Sequence, residues 1–141
     1  MTAKVGRHTR GVLDTSTLIL LHGIDPDALP AEPLITAVTL AELTVGPLVA
    51  HGDRERSARQ VHLQLAEAEF EPLPFDAPAA RAFGDVAASL RRSGRKRSAR
   101  TLDAMIAAIA IANGLPLYTS NPADFAGIDG FEVVRVSAPT D

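Results

Sequence analysis

Four carboxylates are set in surroundings that raise the question of chemistry. Asp14 closes the apolar run Gly11-Val-Leu-Asp14, and Glu42 ends Thr39-Leu-Ala-Glu42. Asp103 lies among Leu102, Ala104, Met105 and Ile106, and Asp124 ends Asn121-Pro-Ala-Asp124. Each alone has a structural explanation. Thr39 and Glu42 fit a capping box, and Asn121 fits an N-cap with Pro at the next position. Asp14 and Asp103 suit helix starts, where the macrodipole favours negative charge. The four together are harder to explain that way. Two carboxylates about 4 Å apart repel by roughly 4 kcal/mol at an effective dielectric of about 20, so four at one place require a cation. Carboxylate oxygens without thiolate or imidazole select Mg²⁺ or Mn²⁺ over zinc. Such a centre suits phosphodiester hydrolysis, because the metal activates water and steadies charge on the phosphate.

The elements that must position these acids follow from pattern. Residues 11–14 read as a short buried strand, with Thr15-Ser-Thr opening a helix. Gly23, Pro26, Pro30 and Pro33 mark a loop, and residues 34–38 read as a buried strand. A helix is predicted from Thr39 to about Ala50, and another over 53–70 with Val61, Leu65 and Ala68 on its apolar stripe. Residues 71–75 carry two prolines and can form only an edge-like strand. An Ala-rich helix follows over 77–92, broken by Ser93-Gly94. Residues 99–113, starting near Ser98, form the clearest helix, with Leu102, Met105, Ile106 and Ile109 at helical spacing. Gly114 and Pro116 stop it. Strands at 117–119 and 132–136 flank a helical turn at 122–125. Apolar strands alternating with helices predict a three-layer α/β/α sandwich around a mainly parallel sheet. In such sheets ligands bind beyond the carboxyl ends of the strands. Asp14, Glu42 and Asp124 then share one edge, and Asp103 reaches it if its helix starts there.

Bulk properties narrow the classes. The 141 residues amount to a single domain, with the core expected over about 11–136 and frayed termini. Cysteine is absent, which excludes disulfides, thiolate catalysis and Cys-based zinc sites. Aromatics are 4% with no Trp, so base-stacking platforms are not expected. No apolar run approaches the roughly 18 residues needed to span a bilayer. Asp14 interrupts any signal-like segment, so a cytoplasmic protein is expected. The net charge of −3 conceals a segregation: Arg91, Arg92, Arg95, Lys96, Arg97 and Arg100 hold six of the fourteen cations within ten residues. This basic strip lies just before Asp103 and could track a phosphate backbone. His8, His22, His51 and His62 show no ligand or catalytic spacing, and His62 reads as a half-buried helix residue. No phosphate-binding glycine loop is present.

Val12-Leu-Asp14-Thr-Ser16, Thr39-x-Ala-Glu42-Leu, Leu102-Asp103-Ala-x-Ile106-Ala-Ala and Tyr118-Thr-Ser-Asn121-Pro-x-Asp124-Phe125 come in an order and spacing that resembles PIN-domain ribonucleases. Among these the chain is most similar to the VapC-type toxins of bacterial toxin–antitoxin pairs, over about residues 11–136. The resemblance implies a Mg²⁺- or Mn²⁺-dependent endoribonuclease. Asp14 and Asp103 would be its principal metal ligands, Glu42 the third acid and Asp124 the fourth. Thr15, Ser16, Thr119 and Asn121 would be supporting polar groups, with Asn121 an alternative fourth ligand. Glu42 would orient or deprotonate the attacking water. Many relatives carry Arg where Ser120 stands, which weakens the expected phosphate contact. A homodimer and a cognate antitoxin are implied as partners, with apolar stripes between Leu40 and Phe70 as contact surfaces. The alternatives are a receiver-like phospho-acceptor domain, a non-catalytic module of the same fold and a DNA-directed nuclease.

Overall fold

A computed structural model describes residues 8–94 and 100–139. The expectations for Arg95, Lys96, Arg97 and a helix start at Ser98 lie outside them.

The sheet has four strands, β1 (Arg10–Leu13), β2 (Glu32–Leu34), β3 (Leu117–Thr119) and β4 (Val133–Arg135), in the order β2-β1-β3-β4. Every pairing is parallel, so all four carboxyl ends lie at one edge. The helices are α1 (Thr15–Ile19), α2 (Ala37–Leu48), α3 (Asp53–Glu69), α4 (Ala77–Arg92) and α5 (Thr101–Ala112).

Alternation along the strands builds two cores. Val12 and Leu117 face α5, packing with Ile106, Ile109 and Ala110. Leu13 and Tyr118 face the other side, packing with Ile24, Leu29, Val136 and Leu18 of α1. This is the predicted sandwich. The Tyr118 ring lies across β1, where a Cβ on Gly11 would stand 2.6 Å from its Cε1, so only glycine fits. The third layer depends on small residues. Ala104, Ala107, Ala108 and Ala110 are fully buried, which lets α4 approach α5 around Val86 and Leu90. Gly114 ends α5 at φ +65°, as a helix C′ residue.

Four expectations are corrected. The strand predicted over 34–38 ends at Leu34, because the Thr36 hydroxyl accepts a hydrogen bond from Thr39 N (3.1 Å) and caps α2. Thr39 is therefore already inside the helix, and Glu42 lies more than a turn in. The 71–75 segment contributes only a bridge from Leu73 to Thr36. On α3 the expected stripe faces solvent, with Val61 50% and Leu65 38% exposed. Contact with α2 runs instead through Leu63, Ala66 and Phe70, around Ile35 and Leu43. Leu102, placed on the buried face of α5, is 48% exposed.

Candidate metal centre

Asp14 follows directly from β1 and is the N-cap of α1. Its Oδ1 accepts from Thr17 N (3.1 Å), and its Oδ2 accepts from Thr119 Oγ1 (2.7 Å) and Ser16 Oγ (3.5 Å). It is 3% exposed. A buried charge at that depth is tolerated only when hydrogen-bonded, and the donors come from two adjacent strand ends. Thr17 Oγ1 in turn accepts from Ser120 N (3.0 Å), and Thr119 Oγ1 from Asn121 N (2.9 Å), which ties the β1 and β3 termini together.

Glu42 projects from α2 towards α1. Its Oε1 accepts from Thr15 Oγ1 at 2.6 Å, and the Thr15 oxygen is also 2.9 Å from Thr39 Oγ1. Asp103 sits in the first turn of α5, and Asp124 in a 3₁₀ turn over Pro122–Phe125 just past β3. Between them lies Arg100, whose Nη1 is 3.1 Å from Asp124 Oδ1 and 3.6 Å from Asp103 Oδ2. Asn121 does not cap the turn through its side chain; its Nδ2 faces Ser16 Oγ (3.4 Å) and Ser120 Oγ (3.5 Å). Beyond Glu42 a cavity of about 250 Å³ opens between Thr15, Ile19, Leu43, Gly46, Arg59 and His62.

The electrostatics show that the four acids share one field. The Asp103 carboxyl is raised to about 6, first by burial, then by the charges of Asp124 and Glu42. Asp14 pushes the same way, and among the described residues only Arg100 opposes them. The acids nevertheless do not form a closed cage. Among the described residues no three His, Asp or Glu side chains stand close enough to hold one ion between them. The sequence-based picture of four carboxylates tightly packed is corrected to four within electrostatic reach, two of them bridged by a guanidinium. In donor type they fit a hard divalent cation, since every candidate atom is a carboxylate, hydroxyl or amide oxygen.

The remaining cations of the strip divide. Arg92 is 3.5 Å from Asp129 at the surface, Arg91 is exposed on the last turn of α4, and among the described residues of the strip only Arg100 reaches the acids. His8 bonds Glu132 (2.9 Å), and His62 is half-buried, as expected. The sequence cast Thr39 only as a helix cap and gave Thr17 no part in the site. Their roles need β1 beside β3 and α1 beside α2, and no local pattern displays that.

The PIN-domain profile matches residues 11–130 of this chain. The chain belongs to the PIN-domain family. Within it the chain is of the VapC type. It is 39% identical over 132 residues to ribonuclease VapC5 of Mycobacterium tuberculosis, covering 89% of this chain and 95% of that protein. With ribonuclease VapC4 of the same organism it shares 33% over 130 residues, covering 90% and 97%. A crystal structure of VapBC-5, a member of the VapBC family of toxin–antitoxin systems from that bacterium, superposes with a TM-score of 0.79 at 37% identity, covering 91% of this chain and 99% of that one. The acid-lined edge is thus the edge of a PIN domain, and the receiver-like alternative is set aside.

Proposed function

We propose that this PIN-domain chain is a divalent-metal-dependent endoribonuclease and the toxin half of a toxin–antitoxin pair. The observation that carries the reading is the meeting of Asp14, Glu42, Asp103 and Asp124 at the carboxyl edge of a parallel sheet. There burial first, and then the charges of Asp124, Glu42 and Asp14, raise the carboxyl of Asp103 to about 6 against the pull of Arg100. Its likeness to proteins named ribonuclease VapC5 and VapC4 supplies the substrate class.

Asp14 and Asp103 would hold Mg²⁺ or Mn²⁺, with Glu42 and Asp124 completing the set. When bound, the cation would lower the pKa of water and offset charge on the phosphate. Thr17, Thr119 and Ser16 fix both oxygens of Asp14, so its carboxylate is oriented before any ligand arrives. Thr15 holds Glu42 through Oε1, and Glu42 would orient or deprotonate the attacking water. Among the described residues Arg100 offers the guanidinium that contacts the acids, and it would turn to a phosphate oxygen of the strand. The cavity beyond Glu42 continues the same surface and would receive a neighbouring nucleotide.

The exposed apolar side chains Val45, Leu48 and Val49 on and just after α2, with Val61 and Leu65 on α3, form the surface on which a second copy or an antitoxin would dock. The VapBC-5 structure, described as a toxin–antitoxin system member, supports the antitoxin partner. No described helix is long and apolar enough to cross a membrane.

The test is cleavage of total RNA and of a DNA copy by the purified chain, with Mg²⁺ or with EDTA. Cleavage of RNA alone, lost in EDTA, is expected. Cleavage that persists in EDTA, or that favours DNA, would overturn the reading.

A further inference from the structure

We infer that Arg100 is a built-in counter-ion that an incoming divalent cation must displace, so that metal binding and release of this guanidinium for an anionic strand are coupled. This rests on the proposed metal site and adds to it a competitor from the chain itself.

Three observations carry it. Arg100 Nη1 contacts carboxylates of two separate elements, Asp103 of α5 and Asp124 of the turn after β3, and so stands where charge from both converges. Among the described residues it is the only cation that ion-pairs with any of the four acids. The Arg100 side chain is 42% exposed, so it has solvent to move into when it leaves its partners.

A guanidinium and a divalent cation cannot share the same two carboxylates without strong mutual repulsion. A ligand that requires another group to move binds more weakly by the cost of that move, and removing the competitor restores the affinity. The freed arginine remains tethered beside the acids. Its planar fork suits bidentate contact with a phosphate, which lysine cannot reproduce. Metal loading then makes the edge attractive to a phosphodiester twice over, through the cation's own charge and through the released side chain.

The experiment is calorimetric titration of Mn²⁺ into the wild-type chain, Arg100→Gln, Arg100→Lys and Asp103→Asn, without RNA. Arg100→Gln is expected to lower the Kd for Mn²⁺ about 5- to 20-fold, the lower part of the range typical of coupled sites. Arg100→Lys, which keeps a charge within reach, is expected to lie nearer wild type. An unchanged or higher Kd in Arg100→Gln, with wild-type binding intact and abolished by Asp103→Asn, overturns the competition while sparing the metal site. Absence of Mn²⁺ binding by the wild-type chain overturns the metal site itself, and the competition with it. Circular dichroism of each variant distinguishes lost affinity from lost fold.

Discussion

Two physical effects oppose each other at Asp103. A carboxylate in the first turn of a helix gains about 0.3–1 kcal/mol from the macrodipole, yet its carboxyl is raised to about 6 from 3.8. Each pKa unit corresponds to about 1.36 kcal/mol, so burial and the neighbouring acids win. The sign of the pH effect follows. A raised carboxyl contributes stability by holding its proton; that contribution is full below about 3.8 and is lost as pH rises through about 6. Asp103→Asn, which keeps the shape and removes the charge, should therefore raise the melting temperature in EDTA at pH 8. The gain should be about 3–6 °C, taking roughly 1–2 kcal/mol after allowing for the quarter of the side chain in solvent. The gain should shrink at pH 4, and a variant less stable than wild type at pH 8 would contradict the electrostatic account. The same substitution should lower RNA cleavage at least about 100-fold, more than the loss usual for a group behind a ligand. Thr119→Val tests the support of Asp14. It removes the 2.7 Å donor from a buried carboxylate and should cost about 1–3 kcal/mol. Mn²⁺ affinity should fall 10- to 100-fold with it. Unchanged affinity would make Thr119 a folding residue only.

At the scale of elements, legibility followed periodicity. Helix α4 (Ala77–Arg92) has the predicted bounds, because Asp76, Pro78 and Ser93-Gly94 punctuate an amphipathic run. The strand at Leu117–Thr119 was readable between Pro116 and Asn121 for the same reason. The start of α2 was misplaced because Thr36 and Thr39 are both plausible caps by type, and only the 3.1 Å bond to Thr39 N decides. Thr36→Ala should cost about 1 kcal/mol and, by loosening the first turn that carries Thr39 towards Thr15, lower cleavage modestly. Chemical denaturation with parallel activity assays checks this; full stability in the variant would return the cap to Thr39. The stripe on α3 was legible as apolar but not as exposed. Sequence records that Val61 and Leu65 avoid water and not what covers them. Arg100 was legible as basic, but its contact with Asp124 joins elements separated by β3 and carries no local pattern.

For the whole molecule, the parallel order β2-β1-β3-β4 explains how four acids far apart in sequence reach one edge without any local motif joining them. What remains uncovered is the apolar surface on α2 and α3, where Leu48 is 80% and Val49 57% exposed. Leu48→Glu with Val61→Glu should leave the monomer folded and shift the chain from dimer to monomer in light scattering; a wild-type chain that is already monomeric at micromolar concentration would remove the homodimer and leave the antitoxin as the surface's occupant. The central claim concerns the acids themselves, and the most direct measurement is anomalous difference density from crystals soaked in Mn²⁺. A peak in contact with the Asp14 and Asp103 carboxylates, accompanied by movement of Arg100 away from them, is the expected result. Manganese bound only elsewhere, or none bound by crystals of a chain that still cleaves RNA, would contradict it.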